Sequence, residues 1–235
     1  MNGYFRFRKF TIRQNDSAFK VTTDSVLLGA WAELAEAHRL LDIGTGTGLL
    51  ALMAAQRSHA QIVGVEPDKD SFTQALSNIY ESPWASRITL VNKAIQDYSP
   101  GDGVLFDTII TNPPFFKDSL LNPDTRKAHT RHTLSLKSEE ILEAAERLLT
   151  SEGTLQLVLP FNEAKEFIIV AGYYGFYCCR ILMVRPKPLS PPKRTLLTLS
   201  HERHNPVEAE LIIENDERHS YSDEYVALTK EFYLY

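Results

Sequence analysis

Short apolar runs in this chain alternate with segments that carry one apolar face at helical spacing, and that alternation constrains the fold more than any other feature. The runs are Leu40–Ile43, Gln61–Glu66, Ile88–Val91, Phe106–Thr111 and Thr154–Leu159. Leu49–Arg57 and Lys69–Tyr80 follow the first two runs as helices. Ser138–Leu149 places Ile141, Leu142, Ala145, Leu148 and Leu149 on one face, with Ser138 ahead of Glu139 and Glu140 as a start signal and Gly153 as a stop. Strand and helix in turn predict an α/β fold, a mostly parallel sheet with helices on both faces.

A helix over Glu163–Ala171 precedes two more strand-like stretches, "YYGFYCCRILMV" and "KRTLLTLS", joined by the proline-rich Pro186–Pro192. No helix fits between them, so they are expected to form an antiparallel hairpin closing one edge of the sheet. The prediction is a seven-stranded sheet whose last pair is antiparallel. The tail Glu208–Tyr235 reads as a short strand, a turn, a helix from about Ser222, and an apolar end docked on the domain. At 235 residues the chain is expected to be one domain.

"LDIGTGTG", Leu41–Gly48, runs a strand into a glycine turn and then a helix. Such a turn lets backbone approach a nucleotide-like ligand at a helix N-terminus. The glycines Gly44, Gly46 and Gly48 are spaced G-x-G-x-G, with Leu49 where a dinucleotide fingerprint has its third glycine. Asp42 at the strand end suits a cation better than a pyrophosphate. S-adenosylmethionine carries a sulfonium and an α-ammonium and no phosphate. Glu66 ends the next strand, 22 residues after Gly44, where a carboxylate can accept from both hydroxyls of a ribose.

"TNPPFF", residues 111–116, closes the fourth run, because two prolines cannot donate to a sheet ladder. Asn112 supplies a side-chain carbonyl and Pro113 a backbone carbonyl, two acceptors able to converge on one planar –NH2 group. Holding both amine protons favours a pyramidal nitrogen whose lone pair can face a methyl donor, with no general base required. Phe115 can stack on the ring. Phe116 is equally a stacking or a core residue.

Net charge is −5, which argues against general nucleic-acid binding, but the distribution is uneven. Basic clusters occupy residues 1–20 (Arg6, Arg8, Lys9, Arg13, Lys20), 117–137 and 180–194 (Arg180, Arg185, Lys187, Lys193, Arg194), while residues 202–224 hold eight acids against two arginines. Adjacent Cys178 and Cys179 offer neither a bridge nor metal-ligand spacing, and are expected to be reduced core residues of a cytoplasmic protein. There is no apolar stretch long enough for a membrane span, and no secretory signal is expected. No metal is expected.

"LDIGTGTG", Glu66 and "NPPF" resemble the class I S-adenosylmethionine-dependent methyltransferases that modify planar amino nitrogens, which are Rossmann-like. More narrowly, "FRFRKFTIRQNDSAFKVTTDSVLLGAWA", "SPWASRI", "NPPFF" and "YSDEYVALTKEFYLY" resemble the tRNA1(Val) (adenine(37)-N6)-methyltransferases, over nearly the whole chain. The resemblance implies S-adenosylmethionine as cofactor and adenine 37, in the anticodon loop of a valine tRNA, as target. Residues 1–36 would close over the cofactor, 37–200 would form the core, and 201–235 would dock on it. Asp42, Gly44, Gly46 and Gly48 would line the methionine part and Glu66 the ribose, with Lys20, Thr23 and Asp24 in the closing segment. Asn112 would bind the target amine and touch the cofactor, beside Pro113, and Phe115 would stack on adenine. The acid that many relatives place near the cofactor adenine falls on Ala94, so that contact comes from backbone at Ile95 or from Asp97. His129, Arg131 and His132 lie either on an RNA-facing loop or on plain surface, and Trp84 is read as packing. Rival acceptors for the same chemistry are an rRNA base, a DNA adenine and a protein glutamine. A rival of another class is a non-catalytic nucleotide-binding module.

Overall fold

The computed structural model of the chain describes residues 3–15, 20–101, 103–113, 136–217 and 220–234. A hairpin of β1 (Tyr4–Arg6) and β2 (Thr11–Arg13) leads to α1 (Thr23–Trp31). The core follows as β3 (Arg39–Ile43), α2 (Leu49–Arg57), β4 (Gln61–Val65), α3 (Lys69–Tyr80), β5 (Ile88–Val91) and β6 (Phe106–Thr111). Then come α4 (Ser138–Leu148), β7 (Leu149–Pro160), α5 (Phe161–Tyr173), β8 (Tyr177–Arg185), β9 (Arg194–Ser200), β10 (Val207–Ile212) and α6 (Asp223–Thr229). The main sheet has the order β10-β8-β9-β7-β6-β3-β4-β5. Only β9 runs against its neighbours.

The expected hairpin is present as β8 and β9, but it does not close the edge. The sheet has eight strands rather than seven, because β10 pairs in parallel outside β8, from Val207↔Arg180 to Ile212↔Arg185. Without β10, β8 would present a bare row of backbone donors and acceptors. β10 takes that row, and its own exposed stretch carries Glu208 and Glu210, charges that discourage further pairing. A second difference concerns Gly153, which lies inside β7 instead of stopping the preceding helix. The chain passes directly from α4 into β7, and the β6–β7 register shifts between Phe106 and Thr108 to absorb the transition.

Both faces of the sheet are buried, so neighbouring strand residues feed opposite cores. Leu40, Ile110, Val158 and Leu196 face a cluster shared with α1, α2, the N-terminal hairpin and the C-terminal Tyr225 and Phe232. Leu41, Ile109, Leu157 and Leu197 face the other cluster, beneath α4 and α5. α1 and α2 approach closely at Gly29, where any Cβ would sit 2.6 Å from Met53 Sδ. The two ends of the chain meet, Arg8 N donating to Phe232 O at 2.9 Å. Among the described residues no helix is long and apolar enough to cross a membrane. Cys178 and Cys179 are free thiols, and burial pushes Cys178 up to about 12.

Candidate active site

Three adjacent strands end in register at the carboxyl edge of the sheet. Ile43 pairs with Val65 on one side and with Thr111 on the other. Thr111 Oγ1 also donates to Ile43 O at 2.9 Å. The residues that come next are Gly44, Glu66 and Asn112, so pairing alone brings three sequence-predicted groups to one place. The chain progresses from β3 toward β5 in one direction and then returns to β6 on the other side of β3. That is the topological switch point where open α/β sheets bind ligands.

Gly44, Gly46 and Gly48 all adopt positive φ, at 70°, 56° and 82°. Gly44 is exposed, and a Cβ placed there would meet nothing within 4 Å among the described residues. Open space therefore faces the turn at that point. Asp42 is fully buried behind it. Its Oδ2 accepts from Thr45 Oγ1 at 2.6 Å and from Ala51 N at 3.1 Å, bracing the turn and the start of α2. Its Oδ1 is buried without a hydrogen-bond partner among the described residues. Burial pushes the Asp42 carboxyl up to about 7. Glu66, also buried, accepts from Gly46 N at 2.8 Å and Asp68 N at 3.0 Å, and burial raises it as well.

The opposite lip is Asn112. Its Nδ2 donates to Ser25 Oγ at 2.7 Å, and Ser25 is held in turn at the start of α1, where its N–H donates to Thr22 Oγ1 at 3.2 Å. The donor end of the amide is engaged, and Oδ1 remains as its acceptor. Pro113, next in the chain, is buried. Phe115, Phe116, His129, Arg131, His132 and the basic cluster 117–135 lie outside the described residues.

Ser25 was not legible as a site residue, although Thr22 ahead of the apolar "VLLGAW" is a readable helix start. Two asparagines were also missed. Asn92 Nδ2 donates to Glu66 O at 2.7 Å, and Asn78 Nδ2 donates to Thr47 O at 2.8 Å and Arg13 O at 2.9 Å. They tie the glycine turn and the Glu66 corner to β5, α3 and the N-terminal hairpin, and nothing local in sequence marks such long-range contacts.

Ile95 starts a short 3-10 turn and is buried, while Asp97 on the same turn is exposed. The Ile95 carbonyl already accepts from Arg147 Nη2 at 2.9 Å. Lys20 is exposed ahead of α1. Thr23 and Asp24 line a different cavity, on the far side of the first turn of α1, and Asp24 Oδ2 is 2.7 Å from Arg194 Nε. Trp84 packs edge-on against Phe10 at 5.9 Å, in line with its reading as a packing residue. The basic clusters are partly consumed internally. Arg13 pairs with Glu81 at 3.0 Å, Arg185 with Glu210 at 3.0 Å, and Arg180 with Glu33 at 2.8 Å while lying over the Trp31 ring.

These residues fit a cofactor that combines a cation with an adenosine. An unpartnered buried carboxylate oxygen, open space before Gly44 and a strand-end glutamate are what such a molecule needs, and the two carboxylates do not suit a phosphate. Comparison with known proteins agrees. The methyltransferase small domain family matches residues 17–170. The tRNA1(Val) (adenine(37)-N6)-methyltransferase of Bacteroides fragilis is 44% identical over 98% of this chain and 98% of its own. The Trichodesmium erythraeum protein of that name is 41% identical over 98% and 97%. Among solved structures, a "predicted O-methyltransferase" from Agrobacterium tumefaciens superposes with a TM-score of 0.69 at 21% identity, over 89% of this chain and 96% of that one. TYW2 of P. horikoshii in complex with MeSAdo gives 0.58 at 15% identity, over 83% and 69%. Those two likenesses establish the Rossmann-like methyltransferase fold, and the sequence relatives go further: this chain belongs to the methyltransferase small domain family and, within it, to the tRNA1(Val) (adenine(37)-N6)-methyltransferases.

Proposed function

We propose that the protein transfers a methyl group from S-adenosylmethionine to the exocyclic N6 amine of adenine 37 in the anticodon loop of tRNA1(Val). The observation that carries the chemistry is the contact of Asn112 with Ser25, beside the glycine turn and across one cross-strand pair from it. When bound, S-adenosylmethionine supplies an electrophilic methyl on a cationic sulfur. Asp42, Gly44, Gly46, Gly48, Glu66 and the amide of Ile95 are its proposed holders, with Lys20 in the segment closing over it. Thr23 and Asp24 are assigned instead to the RNA side of α1.

The N6 lone pair of adenine is delocalised into the ring, so the amine is a poor nucleophile. Asn112 Oδ1 and the Pro113 carbonyl, each accepting one amine proton, would pull the nitrogen toward a pyramidal geometry and orient it. Phe115 is the proposed stacking face for the ring. Because Ser25 engages the donor end of the Asn112 amide, the acceptor end is presented without a choice of rotamer. An anticodon-loop base is single-stranded or easily splayed, which keeps the cost of placing it in the pocket low. A valine tRNA of the cytoplasm is the proposed partner.

The test is transfer of tritiated methyl from S-adenosylmethionine into total tRNA from a strain lacking this activity, followed by nucleoside analysis. N6-methyladenosine in a valine isoacceptor is the expected product. Label confined to rRNA or to protein would refute the tRNA assignment and leave the methyltransferase one standing.

A further inference from the structure

A second cavity, of about 670 Å³, opens on the other side of the first turn of α1 from Asn112. That size lies within the roughly 300–1,000 Å³ of small-molecule sites. Thr23 and Asp24 form part of its wall, and the next residue, Ser25, is the one that holds Asn112. The remaining walls come from both ends of the chain and from the β8–β9 connection, which only the tertiary fold brings together.

A file of rings lines it. Phe5 and Tyr233 have centroids 6.0 Å apart, Tyr233 and Tyr225 6.4 Å, and Tyr225 and Tyr221 5.2 Å. Tyr225 is buried, and Tyr221 is 38% exposed. The charged groups on the wall are Arg6, Lys193 and Arg194 against Asp24 and Glu214. Arg194 spends two of its five N–H donors on Asp24 Oδ2 and Lys193 O. Arg6 and Lys193 are exposed and have no side-chain partner among the described residues. Arg13, Arg180 and Arg185, from the same two sequence clusters, are paired with acids. Two of the cations left over, Arg6 and Lys193, therefore stand together at this cavity.

Aromatic faces for a base, free cations for a phosphate and carboxylates able to accept from ribose hydroxyls are the recognition chemistry of a single-stranded ribonucleotide. We infer that this cavity is a second nucleotide site, which takes a nucleotide flanking the target adenine while the adenine itself lies at Asn112. The inference rests on the RNA substrate proposed above. α1 then separates two consecutive bases, and its first turn faces both, Ser25 toward the target and Asp24 toward the neighbour. Splaying the two apart is a source of selection for an unpaired loop over a stacked helix.

The experiment uses a heptanucleotide RNA with adenine at its centre and 2-aminopurine beside it, on either flank in turn. Fluorescence is titrated with the full-length protein at low salt. For one flank, binding is expected to quench the probe. Affinity should fall at least tenfold in an Arg6→Ala/Lys193→Ala double variant, and quenching should be lost in Tyr221→Ala. S-adenosylmethionine affinity, measured separately, should stay within twofold, which shows that the variants are folded. Unchanged affinity and quenching in these variants, or no quenching on either flank in the wild type, would overturn the site. Quenching lost in the variants by a protein that methylates no tRNA would support the site and sink the activity, whereas tRNA methylation with insensitive variants would do the reverse.

Discussion

Asn112 Nδ2 donates to Ser25 Oγ across 2.7 Å, joining the end of β6 to the start of α1, residues 87 apart in sequence. The contact gives a side chain before the first core strand control over the group proposed to hold the target amine. Ser25 is a positioning residue in this scheme. Ser25→Ala should lower kcat about tenfold, the worth of one hydrogen bond of roughly 1.4 kcal/mol, and leave cofactor Kd within twofold. Ser25→Thr, which keeps the hydroxyl, should recover most of the loss. If Ser25→Ala lowers cofactor affinity and turnover equally, the residue supports the fold and not the amine site.

Asn112→Ala removes the proposed acceptor itself. Turnover is expected to fall by about 10²–10³, the scale of losing a preorganised hydrogen-bonding group at a reacting centre, with cofactor binding largely retained. Single-turnover kinetics at saturating cofactor separates the two effects.

Glu66 holds the glycine turn through Gly46 N and the following corner through Asp68 N. Glu66→Ala leaves both amides without their acceptor, at about 1–3 kcal/mol each where they stay buried. A drop in melting temperature should accompany a cofactor Kd raised at least tenfold. Glu66→Gln, which can still accept one of these bonds, should lose less stability. A Kd unchanged in both variants would remove Glu66 from the ribose.

Asp42 is pushed up to about 7 by burial. Between its ordinary value near 4 and about 7 the folded protein binds a proton that the unfolded chain does not, so the stability contribution of this group declines as pH rises through that window. Glu66, also raised by burial, acts with the same sign. A cationic ligand beside Asp42 Oδ1 favours the ionised form and should bind more tightly as pH rises from about 6 to about 7.5, releasing a proton. Calorimetry in buffers of different ionisation enthalpy measures that proton. Asp42→Asn should reduce the slope to the part that Glu66 contributes and abolish the release, and a flat wild-type profile would place the cation elsewhere.

Arg180 is basic in sequence but engaged in the fold, paired with Glu33 and stacked on Trp31. Arg180→Ala should cost about 0.5–1 kcal/mol in chemical denaturation and leave tRNA affinity within twofold. A steep loss of tRNA binding would return Arg180 to the RNA surface.

The alternation of apolar runs was sufficient to read the strands β3 to β7 and the helices after them, because burial on both faces writes continuous hydrophobic runs into the chain. The glycine turn, Glu66 and Asn112 were legible for a related reason: each stands directly after such a run, and strand ends in a parallel sheet gather on one edge. Three things were decided only by the tertiary structure. β10 joined the sheet because β8 had an edge to satisfy, which no property of "VEAELI" itself announces. Asp42 acquired a structural task, since its carboxylate meets Thr45 and Ala51 only once the turn has closed. The fate of each arginine depended on which acid or carbonyl the fold placed beside it. Local sequence therefore determined which elements form and which residues stand at their ends, because propensity and burial periodicity are local. Which polar groups are spent on the fold and which remain for ligands depended on long-range contacts, as between Asn112 and Ser25, and those exist only when the chain is folded.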